Sequence, residues 1–143
     1  MKDELRDTFA FSDQEKKLFK ELSIGALVLF GSHAQNAAGP LSDFDFGLII
    51  DDKSILNFSE KRTKIYNEVY DILSSRIKKL VNIDIVFLER APYELRAHVM
   101  KHGEIVFEAR PGVFADFKAM VMEQYSDFAP IKKIFHEGIL SRI

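Results

Sequence analysis

The stretch that decides the fold reads Ala26-Leu27-Val28-Leu29-Phe30-Gly31-Ser32 and then, ten residues on, Asp43-Phe44-Asp45-Phe46-Gly47-Leu48-Ile49-Ile50. The first piece is a short apolar run closed by glycine and serine, the pattern of a buried strand leaving into a tight turn. In the second, phenylalanines and aliphatics alternate with Asp45 and Gly47, which predicts a strand over Phe44 to Asp51. Alternate side chains of a strand share a face, so Asp43 and Asp45 point the same way, roughly 7 Å apart along the backbone.

Outward from this pair the chain alternates helix and strand. Ser12-Asp13-Gln14-Glu15 has the form of a capping box, opening a helix to about Leu22 with Leu18, Phe19 and Leu22 as its apolar stripe. Ser23-Ile24-Gly25 ends it. The small-residue segment His33 to Pro40 reads as a turn leading into a short helix. Ile65, Val69, Ile72, Leu73, Ile77 and Leu80 recur at helical spacing, predicting a helix from about Ser59 to Leu80. Val81 to Leu88 is a third strand, carrying Asp84 between Ile83 and Ile85. Pro92 sits at the start of a helix to about His102, Gly103 stops it, and Glu104 to Glu108 is a short fourth strand. Val113 to Tyr125 and Ile131 to Leu140 read as closing helices. The order implies a mixed α/β (α+β) fold, a small mixed sheet flanked by helices, in a single domain over 1–143. Helices from about 113 to 143 serve as a packing or partner element.

Composition narrows the function classes. The chain has 143 residues, 47% of them hydrophobic and 29% charged, which suits one globular core. It has no cysteine, so disulfides, thiolate zinc sites and cysteine nucleophiles are excluded, in keeping with a cytoplasmic setting. The charged start, Met1-Lys2-Asp3-Glu4-Leu5-Arg6, lacks an apolar signal core, and no apolar run is long enough to cross a bilayer. A net charge of −2 gives no general attraction to long nucleic acid.

The chemistry gathers in three places. Gly31 lets backbone approach a phosphate closely, and Ser32 offers an N–H and a hydroxyl; a helix starting just beyond would aim its positive end at the same anion. Asp43 and Asp45 can lean together around one or two divalent cations, the clamp used for in-line displacement at phosphorus. Asp84, between residues facing the opposite way, lies on the same open face, where three carboxylates repel unless a cation neutralises them. These residues therefore read as nucleotide-binding (Gly31, Ser32) and as catalytic and metal-holding (Asp43, Asp45, Asp84), with Asp84 helping to deprotonate an attacking hydroxyl.

Gly31-Ser32-His33-Ala34, Ser42-Asp43-Phe44-Asp45 and Asn82-Ile83-Asp84-Ile85-Val86 together resemble the signature of the DNA polymerase β nucleotidyltransferase superfamily, and among its members the minimal nucleotidyltransferases (MNT). The tail, Phe117-Lys118-Ala119 through Tyr125-Ser126-Asp127-Phe128, is similar to the C-terminal helix of MNT antitoxins paired with HEPN-domain toxins. The resemblance implies a polymerase-β-like fold and an antitoxin that uses ATP and Mg2+, with a two-metal site, to attach AMP to a tyrosine of a HEPN ribonuclease. The family often has Arg-Gly where this chain has Gln35-Asn36; asparagine tolerates left-handed backbone, so the turn survives, but a phosphate contact is lost. Two alternatives stand beside it: the same chemistry on a small molecule such as an aminoglycoside, and a non-catalytic antitoxin that neutralises its partner by binding.

Other features have plainer readings. His98 and His102 lie four apart, but without a third ligand they form a solvated helix face. His33 reads as an exposed loop residue. Arg76, Lys78 and Lys79 read as the wet side of an amphipathic helix that can also meet an acidic partner. Phe114, Phe117, Met120, Val121, Tyr125, Phe128, Ile131, Ile134, Phe135, Ile139 and Leu140 exceed what one small core absorbs, which points to homo- or hetero-oligomer contacts.

Overall fold

A computed structural model describes residues 2–124. Six helices or helical segments matter here: α1 (Asp3–Thr8), α2 (Asp13–Glu21), α3 (Ser59–Arg76), α4 (Tyr93–His102), α5 (113–124) and the 3-10 turn Leu88–Arg90. The strands are β1 (Ile24–Phe30), β2 (Phe44–Ile50), β3 (Ile83–Phe87) and β4 (Glu104–Glu108). They form one sheet in the order β3-β2-β1-β4, with β1 antiparallel to both neighbours and β2 parallel to β3. This is the mixed sheet flanked by helices that the alternation of elements implies.

Each face of the sheet buries its own core. Phe44, Phe46, Leu48 and Ile50 share one face, where Phe19 of α2 and Ile65, Val69 and Leu73 of α3 pack on them with Leu27 and Leu29. Ala26, Val28 and Ile49 look the other way, against Ala97, Val99 and Met100 of α4 and Val113, Phe117 and Val121 of α5. Asp45 lies on this second face, near the N-terminal end of β2, so the α4–α5 layer covers the face on which the carboxylate stands.

The capping box opens α2 as its residues require: Ser12 Oγ accepts from the Glu15 N–H, and the Glu15 carboxylate accepts from the Ser12 N–H. Several boundaries differ from expectation. β1 begins at Ile24, not Ala26, because Ser23 turns with φ +63° and Ile24 already pairs with Ile50. Gly25, expected as a breaker, lies within the strand; a Cβ there would crowd the Asp51 carboxylate and the Val113 side chain of α5, both at about 3 Å. α3 stops at Arg76, four residues early. Ile77 is extended and buried, and Leu80, expected on the apolar stripe, is 104% exposed. Ile65, Val69, Leu73 and Ile77 already span the sheet, so a further turn has no core to cover. Asp3–Thr8 is helical, where the sequence suggested only a charged start.

Arg76 is a correction of another kind. Expected on the wet side of its helix, its guanidinium instead makes a paired contact with the Glu15 carboxylate, donates to the Thr8 carbonyl at 3.3 Å and lies 5.2 Å above the Phe11 ring. It ties α3 to α2 and to the segment before it. In α5, Val113, Phe117 and Val121 are buried and Met120 is exposed. The predicted helix Ile131 to Leu140, and the apolar tail residues from Tyr125 onward, lie outside the described residues. Among the described residues, no helix is long and apolar enough to cross a membrane.

Candidate active site

The site forms where β1 ends and β2 and β3 begin. Backbone pairing places Phe30 opposite Asp45 on one side, and Asp84 opposite Asp45 on the other. β1 then turns at Gly31 with φ +75°, a left-handed conformation that favours glycine, and a Cβ there would collide with Asp45 Oδ2. Gly31 therefore answers two demands at once, the turn and the close approach of a carboxylate.

The carboxylates sit as strand alternation requires. Ile83 and Ile85 are buried while Asp84 between them is exposed; Asp43 is exposed and Asp45 half-buried. Asp45 titrates above the ordinary carboxylate range. Burial is the largest cause, followed by the charges of Asp84 and Asp43 and a hydrogen bond with Asp84; the charge of His33 pulls the other way. Geometry and charge thus bring all three aspartates together around Asp45.

The expected helix after Gly31-Ser32 is a correction: residues 32–36 make turns only. The Gln35 N–H reaches the Gly31 carbonyl at 3.2 Å and the Ala37 N–H reaches the Ser32 carbonyl at 2.9 Å. Asn36 adopts φ +56°, so the left-handed position is kept without glycine. With no helix behind it, this turn can offer an anion only its own N–H groups and the Ser32 hydroxyl, which stays half-buried at the turn.

His33 is the second correction. Far from being loop-exposed, it is 8% exposed, stacked on Phe44 with ring centroids 3.7 Å apart at 6°, and donates from Nε2 to the Ser42 carbonyl at 3.0 Å. The ring clamps the Gly31-Ser32 turn to the start of β2, just where Asp43 and Asp45 emerge. Ser42 Oγ accepts from the Gly39 N–H at 2.9 Å and closes the same loop. Nothing in local periodicity marks this histidine; the one hint in the chain is an aromatic at the next strand's start, and a stacking partner eleven positions away has no period to reveal it.

Among the described residues, no trio of His, Asp or Glu side chains is gathered tightly enough to hold a metal as it stands. The donor set nevertheless fits a hard divalent cation. All three groups are carboxylates, the donors magnesium takes, and the crowding of Asp84 and Asp43 charge that raises the Asp45 carboxyl is what a bound cation would relieve. His98 and His102, exposed with ring centroids 4.9 Å apart, stand without a third ligand among the described residues.

A family model described as Polymerase beta, Nucleotidyltransferase matches residues 14–111, a span that takes in Gly31, Ser32 and all three aspartates. No curated protein matches the sequence significantly. Solved structures do resemble the fold. A chain of a toxin–antitoxin crystal structure with AMP-PNP aligns with a TM-score of 0.64 at 17% identity, covering 90% of this chain and 99% of that one. A chain from a complex of tri-AMPylated HEPN toxin with MNT antitoxin, from Shewanella oneidensis, aligns at 0.57 and 15% identity, covering 89% and 97%. A chain of the MntA–HepT toxin–antitoxin structure gives 0.57 and 15%, covering 90% and 99%. At such identities the likeness concerns the fold.

Proposed function

Because the chain belongs to the polymerase β nucleotidyltransferase family, we propose that it is a magnesium-dependent adenylyltransferase that moves AMP from ATP onto a tyrosine hydroxyl of a HEPN-domain toxin, and so acts as a cytoplasmic antitoxin. The observation that carries this reading is the meeting of Asp43, Asp45 and Asp84 beside Gly31, a set of mutually repelling carboxylates next to a turn whose N–H groups can take an anion. Two structural neighbours add support through what they hold: one is a toxin–antitoxin pair with AMP-PNP, the other includes a toxin already carrying AMP groups.

Each residue has a task in such a transfer. Backbone N–H groups at the Gly31-Ser32 turn and the Ser32 hydroxyl hold the β- and γ-phosphates. Bound magnesium would neutralise phosphate charge and the three aspartates, Asp43 and Asp45 being the residues that hold it against the triphosphate. Asp84 lies on the open face and accepts the proton of the incoming hydroxyl. The hydroxyl oxygen forms a bond to the α-phosphorus as the bond to the bridging oxygen of the β-phosphate breaks, and pyrophosphate leaves. His33 acts at one remove, by holding the turn in register with β2.

The test is intact-mass measurement of a HEPN-domain protein after incubation with this chain, magnesium and ATP. The expected result is a gain of whole AMP units, abolished by Asp43→Asn. A tight complex without any mass gain would overturn the enzymatic reading and favour neutralisation by contact.

A further inference from the structure

Beyond the catalytic residues, one surface feature runs into the site and has no role yet. β3 is an edge strand, paired among the described residues only with β2, so its outer backbone groups are open to an added strand. Against the start of this edge lies a groove of about 410 Å³, whose lining includes Tyr70 and Ile77 of the α3 end, Lys78, Lys79 and Leu80 of the following loop, and Ile83. Among the described residues, no acidic one lines it. Lys78 and Lys79 are exposed and make no ion pair among the described residues, although the chain as a whole is slightly acidic. Leu80 projects fully into solvent between them and the strand, and Tyr66 and Tyr70, stacked 6.2 Å apart and part-exposed, continue the apolar surface up α3.

A full-length apolar side chain held in water beside two cations that are unpaired among the described residues is costly for a mere loop and useful for a docking site. The groove also ends at the right place. Ile83 lines it, and the next residue, roughly 3.8 Å along the chain, is Asp84 on the catalytic face.

We propose that this groove docks an extended, acidic, tyrosine-bearing segment of the acceptor protein, which pairs with the open edge of β3 and crosses it to bring its hydroxyl to Asp84. The occupant is set by chemistry: carboxylates for Lys78 and Lys79, an apolar side chain for Leu80, and backbone for the strand edge. The proposal rests on protein adenylylation as the site's activity, but its docking step is measurable without it.

The experiment uses labelled poly(Glu,Tyr) as the probe, with binding followed by fluorescence anisotropy and AMP transfer by labelled ATP. The double charge reversal Lys78→Glu with Lys79→Glu is expected to weaken binding roughly tenfold. The same charge change at the far end of α3, Lys61→Glu with Lys64→Glu, is expected to leave binding nearly unaltered. Failure of the wild type to bind, equal weakening by both double variants, or undiminished transfer by the Lys78–Lys79 variant would overturn the proposal. Groove-dependent binding with no transfer to any protein acceptor supports the docking site, and it is the adenylylation reading that then fails.

Discussion

Gly31 is the residue on which turn and site depend together, since its φ of +75° and its contact with Asp45 both exclude a side chain. Gly31→Ala is expected to cost about 1–2 kcal/mol of stability from the left-handed backbone alone. It should also displace Asp45 and lower nucleotide transfer far more than that loss explains; chemical denaturation and transfer rates on one preparation check both. Asp43→Asn or Asp45→Asn is expected to slow transfer about a thousandfold, about 4 kcal/mol in the barrier. In metal-free buffer the same variants should melt at or above the wild-type temperature, because a crowded negative charge is gone. Added magnesium should raise the wild-type melting temperature and leave the Asp43→Asn, Asp45→Asn double variant unmoved. His33→Ala removes a stacked ring and a hydrogen bond, about 1–2 kcal/mol, and by loosening the turn is expected to raise KM for ATP more than it lowers kcat.

At the scale of elements, the junction of α2 and α3 depends on Arg76, whose guanidinium meets the Glu15 carboxylate with both side chains about four-fifths covered. The hydrogen bond from Arg76 holds the Glu15 carboxyl below its ordinary value of 4.5, against the opposing effect of burial. A carboxylate whose folded pKa is depressed stabilises the fold above its unfolded pKa and loses that contribution as pH falls through the folded value. Glu15→Gln is therefore expected to cost about 1–2 kcal/mol near neutral pH. The difference from wild type should shrink as pH drops below about 4.5, a trend that denaturation at a series of pH values reads directly. A gap that persists unchanged to acid would show that the pair contributes packing alone.

At the scale of the whole molecule, one four-stranded sheet separates two cores, and both contain residues from β1 and β2. Because the central strands serve both layers, neither layer is built to stand without the other. Urea unfolding is expected to be a single cooperative transition, with fluorescence and circular dichroism coincident. Two separable transitions would contradict a single domain. The placement of the site follows from this arrangement: the second core, under α4 and α5, covers the middle and far end of the face that carries Asp45, while the end where Gly31 and the aspartates meet stays accessible.

The strands, their alternation and the candidate aspartates were legible in the chain because each is written in local spacing. Phe44, Phe46 and Leu48 one way and Asp45 the other is a period of two, and Ile83-Asp84-Ile85 repeats it. The capping box at Ser12 and Glu15 is equally local. Helix ends were less legible: Leu80 keeps the helical spacing, yet the sheet beneath it ends before it, and only tertiary packing says where a core runs out. The same holds for His33 and Arg76, whose polar character suggested solvent while their partners, Phe44 and Glu15, lie far along the chain. By itself the sequence determined which residues alternate, which faces are apolar and which acidic groups were available. Tertiary structure alone decided that Asp84 stands opposite Asp45, that Gly31 lies against that same carboxylate, and that β3 is an edge strand among the described residues. The physical reason is that strand register and strand order are settled by pairing between segments distant in sequence, a contact that no local period encodes.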